Sequence, residues 1–220
     1  MEPMNSKTSR EIILNRISGI AARRRQPIGE SAGESDYEQE EIYKPILPDA
    51  LTCFKQELEA ISGQCIICTG EEDMYKKLAA LVEEKGLPFL FSKDSTITKK
   101  LLQAGIPVEE DEAVFVHISA GITPCELLIA RTGSVIVSTT GESGRQMHVF
   151  PPLHIILAKG SQLVDYPGDA LEELQKKYGK KLPSALTFIT GPSRTADIEK
   201  TLVLGAHGPK ELIIFVDRNQ

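Results

Sequence analysis

Residues able to do chemistry concentrate in three glycine-bearing loops, each set against an apolar run. Segment 191–212, GPSRTADIEKTLVLGAHGPKEL, is the densest. Gly191 and Pro192 break an apolar run over 185–189, and Ser193, Arg194 and Thr195 precede a stretch over 196–204 of helical composition. A helix starting there would turn free backbone N–H groups outward, and an anion would gain from the dipole and from the Arg194 guanidinium. Asp197 and Glu199 use the same field, so a ligand held by Gly191, Ser193, Arg194, Thr195, Asp197 and Glu199 is expected to be small and modestly charged. The loop Gly205-Ala206-His207-Gly208-Pro209 leads to the last apolar run. His207 stands between small residues and is expected to be exposed, where an imidazole can give or take a proton, with Gly208 lining the same loop.

The two other loops are shorter. In Ser119-Ala-Gly-Ile-Thr-Pro124, Gly121 permits an unusual backbone angle and Thr123, before Pro124, is placed to cap a helical turn over 126–129. Capping alone would account for these residues, and ligand contact is the alternative. In Ser138-Thr-Thr-Gly-Glu-Ser-Gly-Arg145, amides, hydroxyls and the Arg145 guanidinium can hold a carboxylate or phosphate. It is not a P-loop, because no Gly-Lys-Ser/Thr closes it. The four histidines, at 117, 148, 154 and 207, lack the H-x-x-x-H and H-E-x-x-H spacings of metal sites, and neither a G-x-S-x-G elbow nor a G-x-G-x-x-G fingerprint occurs.

The elements that must carry these loops follow from periodicity. Ile12, Ile13, Ile17 and Ile20 recur at helical spacing and predict an amino-terminal helical arm, followed by a polar, acidic linker to Pro48. From residue 49 onward helical patterns over 51–61, 74–82 and 96–103 alternate with short apolar runs. Strands are expected over 65–68, 114–118, 134–138, 154–158, 185–189 and 212–216, with a shorter apolar run over 88–91. Runs that are continuously apolar predict strands covered on both faces, hence an α/β domain over 49–220 with a mainly parallel sheet flanked by helices. In such sheets ligands sit at the carboxyl ends of the strands.

Composition narrows the partners. The chain has 220 residues, 41% of them hydrophobic, and a formal net charge of −6 with acids and bases interleaved, so no broad cationic face for nucleic acid is expected. No apolar run approaches the roughly 18 residues of a membrane span, and the first residues lack a secretory signal, which predicts a cytoplasmic protein. Cys53, Cys65, Cys68 and Cys125 form neither a disulfide framework nor an iron-sulfur run. Cys65 and Cys68 lie three apart in one strand and so point to opposite faces.

Segment 191–212, with Gly-Ile-Thr at 121–123, RTGSVIV at 131–137 and LHIILAKG at 153–160, resembles the lactate-utilisation protein C (LUD-domain) family over residues 50–217. The resemblance implies the fold of the ribose-5-phosphate isomerase, glucosamine-6-phosphate isomerase and CoA-transferase group, and it adds Thr132 and Gly133 to the expected ligand contacts. It also implies an accessory subunit in the oxidation of L-lactate to pyruvate, without a cofactor of its own, beside partner proteins that carry iron-sulfur clusters. The family pattern is expected to place Glu where this chain has Arg131, and a cation cannot supply the nucleophilic carboxylate of a CoA-transferase. The alternative is a stand-alone enzyme or sensor of that fold binding a small carboxylate or phosphate.

Overall fold

A computed structural model describes residues 45–140, 143–195, 203–204 and 207–220. The expected arm and most of its linker, together with Asp197 and Glu199, lie outside these residues. The compact unit Pro45–Gln220 begins with helix α1 (Ala50–Ala60), started by the Asp49 carboxylate accepting from the Thr52 amide at 3.0 Å and burying Cys53, Phe54 and Leu58. Strand β1 (Gln64–Cys68) follows, then α2 (Glu71–Glu84), whose first turn carries Glu71, Glu72 and Asp73 at the positive end of its dipole. Short strands β2 (Leu90–Phe91) and β3 (Val108–Glu109) flank α3 (Ser95–Gln103), capped by Asp94.

The middle of the chain holds β4 (Ala120–Pro124), β5 (Leu127–Ile129), β6 (Ser134–Ser138), β7 (Leu153–Lys159) and β8 (Leu163–Val164). Helix α4 (Pro167–Tyr178) opens on a proline, which suits the first helical position, and β9 (Leu186–Ile189) follows it. The pair β10 (Arg194–Thr195) and β11 (Val203–Leu204) precedes the last strand, β12 (Glu211–Asp217).

Six strands form one wholly parallel sheet in the order β1-β12-β7-β4-β2-β3. Its central strands β7 and β12 are buried along almost their whole length, which is why their sequences read as unbroken apolar runs. The core lies on both faces: Leu78, Leu101 and Phe215 belong to the cluster under α2 and α3, while Phe54, Leu58 and Ile214 belong to the cluster under α1. Cys68 is in the first cluster and Cys65 in the second, as the alternation of strand side chains requires. Strands β8-β5-β6-β9 make a smaller mixed sheet whose other face packs on Ala170 and Leu174 of α4.

Three expectations are corrected. The run over 114–118 is not a strand but part of a 3-10 helix, Glu112–His117, started by Asp111 and burying only Phe115. The neighbouring strand is β4, so the glycine-bearing stretch 119–124 is a buried strand rather than a loop, and 127–129 is extended rather than helical. At the end of the expected helix over 196–204, Val203 and Leu204 are in a strand paired with Thr195 and Arg194.

Candidate functional site

The parallel strands all end on one edge, and there the apolar run of β4 gives way to Pro124, Cys125 and Glu126. A cavity of about 100 Å³ opens at this point, lined by those three residues with Ser138, Thr140, Ser143 and His148. Glu126 is the fixed charge of the cavity. Its Oε1 accepts from Tyr178 Oη at 2.7 Å, from Thr140 Oγ1 at 3.3 Å and from Ser138 Oγ, and its Oε2 accepts from Lys177 Nζ at 2.6 Å. Burial works to raise the pKa of this carboxyl, but the bonds from Lys177, Ser138 and Tyr178 outweigh it and hold the carboxyl below the usual glutamate range. Glu126 is therefore an anion at neutral pH, accepting from the hydroxyls and the ammonium around it.

The opposite wall has the complementary defect. Ser143 is 4% exposed, yet its hydroxyl has no hydrogen-bond partner among the described residues. Beside it His148 is also buried, and burial lowers its pKa, so the ring is neutral. Its ring stacks on that of His154, with centroids 6.1 Å apart. His154 is fully buried in β7, its Nε2 lies 2.8 Å from Thr123 Oγ1 on β4, and burial together with the proximity of His148 pushes its pKa down to about 3. Thr123 thus does not cap a helix; it is the partner of a histidine one strand away. Gly121 is needed for space rather than for an unusual angle, because a Cβ there would lie 2.6 Å from Pro151 Cγ and 2.9 Å from Met147 Cε.

A second cavity, of about 150 Å³, lies on the other side of Pro124 and is lined in part by Lys159, Gln162 and Asp217. Gln162 ties the ends of β7 and β4 together: its Nε2 donates to the carbonyls of Cys125 and Glu126 at 2.7 and 3.2 Å, and its Oε1 accepts from the Lys159 amide at 2.7 Å. Both cavities thus lie at the carboxyl ends of parallel strands, where sheets of this kind generally hold ligands. Glu126, His148 and His154 were not among the expected contacts, and of the 138–145 loop the hydroxyl residues Ser138, Thr140 and Ser143, rather than Arg145, line the cavity. The available signal was a histidine inside the apolar run of β7, since a polar side chain covered on both faces must find a partner.

Described parts of the 191–212 motif gather elsewhere, at the carboxyl end of α1 beside the amino edge of the parallel sheet. Arg194 NH2 donates to the Ile61 carbonyl and, at 2.9 Å, to Ser62 Oγ, a cation on the negative end of the helix dipole. The Ser193 amide donates to the Pro209 carbonyl at 2.8 Å, so it is not free for an anion. Gly191, at φ +79°, brings the backbone against Ile61, and a Cβ on Gly208 would sit 2.9 Å from Ser193 Cβ. His207 is exposed, as expected. Thr132 and Gly133 meet the same helix, with Arg131 paired to Glu57 at 2.5 Å. Arg145 donates to the Ser184 carbonyl at 3.1 Å and does not line the cavity. Arg194→Ala is expected to cost about 1 kcal/mol, because the bonds are charge-assisted but exposed. Urea denaturation checks this, and an unchanged midpoint would remove the capping role.

The family model described as the LUD domain matches residues 51–216, from α1 to β12. The chain belongs to the LUD domain family. Lactate utilization protein C of Bacillus subtilis is 29% identical over 91% of this chain and 92% of its own length. Its namesake in Bacillus velezensis is 30% identical over 92% of each. The crystal structure of a DUF162 family protein from Deinococcus radiodurans aligns with a TM-score of 0.58 at 19% identity, covering 76% of this chain and 95% of that one, which shows a shared fold.

Within this LUD domain the four cysteines are free and buried. Burial pushes the Cys65 thiol up to about 12 and the Cys68 thiol up to about 11, and it raises those of Cys53 and Cys125 as well. Protonated thiols on two different faces of a sheet are poor candidates for ligation or redox exchange. Among the described residues no three His, Cys, Asp or Glu side chains converge as a metal site, and no helix is long and apolar enough to cross a membrane.

Proposed function

We propose that this LUD-domain protein is a component of a lactate utilisation system, an accessory subunit in L-lactate oxidation that works beside iron-sulfur proteins in the cytoplasm and holds no cluster itself. The observation that carries this reading is similarity over about nine tenths of both chains to two proteins named lactate utilization protein C. The cysteines support the cluster-free part, because each is buried and held as the thiol. The chain's own contribution would be to hold a small molecule at the carboxyl end of β4, where a half-buried carboxylate, a hydroxyl with no partner among the described residues and a neutral imidazole line one cavity. That cavity also favours a second reading, a stand-alone enzyme or sensor for a small ligand.

Deletion of the gene is expected to abolish growth on L-lactate and spare growth on glucose. Anaerobic affinity purification from lactate-grown cells is expected to recover proteins rich in iron and acid-labile sulfide. A chain that purifies alone from cells that do not need it for lactate would overturn the first reading and leave the second.

A further inference from the structure

The cavity at the end of β4 has two unlike walls. On the Glu126 wall, the hydroxyl protons of Ser138, Thr140 and Tyr178 are spent on the carboxylate or on one another, and the Thr140 amide donates to Ser138 Oγ at 3.3 Å. What this wall offers a ligand is lone pairs, so it calls for a donor. Lys177 Nζ lies 2.6 Å from Glu126 and neutralises it, so the wall needs no further cation, tolerates an anionic ligand and calls for an uncharged hydroxyl as the donor. On the other wall, the Ser143 hydroxyl is buried without a partner and His148 is a neutral ring with no side-chain hydrogen bond among the described residues, so this wall offers donors to a ligand acceptor. The volume, about 100 Å³, is near that of three waters at about 30 Å³ each, well below the roughly 300 Å³ at which pockets for drug-sized ligands begin. A nucleotide or CoA ester does not fit inside, whereas an acid of three carbons does.

We infer that this cavity binds a small 2-hydroxy acid, with its hydroxyl on Thr140 and the Glu126 cluster and its carboxylate on Ser143 and His148. The inference rests on the lactate reading for its choice of acid, and on the cavity alone for the hydroxyl and the polarity of the two ends. Binding is what is inferred; no bond in the ligand is made or broken.

Isothermal titration of the full chain with L-lactate, pyruvate, propionate and L-alanine tests it. L-Lactate is expected to bind saturably, while pyruvate and propionate, which lack the hydroxyl donor, and alanine, which replaces it by an ammonium, are each expected to bind roughly ten-fold more weakly or not at all. Ser143→Ala should weaken lactate roughly five- to ten-fold with the denaturation midpoint kept, and Arg194→Ala, at the other edge, should leave affinity unchanged. Absence of saturable lactate binding, pyruvate or alanine binding as tightly as lactate, or full affinity in Ser143→Ala overturns the site. The two readings fail separately. Lactate binding by a chain whose deletion is silent on lactate sinks the cellular role alone, and loss of growth on deletion with no lactate binding sinks the site alone.

Discussion

Replacing Gly133 by alanine is expected to destabilise the domain by roughly 2–5 kcal/mol, a substantial part of the roughly 5–15 kcal/mol margin of a typical single domain. Two costs add. Gly133 has φ +58°, which a side chain adopts at about 1–2 kcal/mol. A Cβ there would also stand 2.3 Å from the Leu58 amide nitrogen and 2.6 Å from the Glu57 carbonyl carbon. These are backbone atoms of α1, so relief requires the helix to shift, and overpacking of that kind costs about 1–3 kcal/mol. Helix α1 cannot shift freely, because Phe54 and Leu58 are fully buried, Arg131 grips Glu57 and Arg194 holds the far end. Gly86 is the control: its φ is +61° and nothing lies within 4 Å of its added Cβ, so Gly86→Ala carries the strain alone. Urea denaturation of the two variants should separate them by about 1–3 kcal/mol. Equal losses would mean that the turn at 130–133 does not press on α1.

That contact explains the motifs that the sequence displays most openly. Gly133, Gly191 and Arg194 lie on one helix end, and Gly208 packs against Ser193 beside them, so close backbone approach and a charged cap account for their residue types. Sequence alone assigned Gly191, Arg194 and their neighbours to an anion, because a glycine turn before a helix-like stretch reads as a dipole site. The register of β10 on β11 was not visible, since Val203 and Leu204 suit a helix as well as a two-residue strand. The same ambiguity misplaced 114–118, where two valines and a phenylalanine imitate a buried strand but only Phe115 and Ile118 are buried.

By contrast, β1, β6, β7 and β12 were legible, because burial on both faces leaves no room for polar residues and writes itself as a run. Helices α1, α2 and α3 were legible from their spacing. The cavity at the end of β4 was not. It is assembled from a strand end, from Ser138, Thr140 and Ser143, and from the 3-10 turn Gln146–His148, and what singles it out is a Ser143 hydroxyl with no partner among the described residues. An unmet hydrogen bond is a property of three-dimensional neighbours, and no one-dimensional pattern records it.

Acid is expected to unfold this domain from a higher pH than its carboxylates alone would set, and His154 is the reason. Folded, its pKa is about 3; in the unfolded chain a histidine titrates near 6.5. In the window between, the unfolded state binds the proton and the folded state does not, so stability is complete above about pH 6.5 and falls as pH is lowered toward 3. The slope for one such group approaches 1.4 kcal/mol per pH unit, which amounts to about 2–3 kcal/mol lost between pH 6.5 and 4.5. His148, lowered by burial as well, adds in the same direction. The carboxyls held low in the fold, Glu126, Asp49 and Asp73, act mainly below pH 4.5, where their unfolded counterparts take up protons, so the upper window belongs to the histidines. The cost is structural. His154 is fully buried with Nε2 on Thr123 and with Nδ1 unpartnered among the described residues, so a second ring proton would be a cation with no acceptor. Urea denaturation at pH 7.5, 6.5, 5.5 and 4.5 should show the fall, and His154→Gln should make the slope clearly shallower even though it lowers the starting stability. A slope unchanged in that variant would place the acid sensitivity elsewhere and show that the ring can be charged in place.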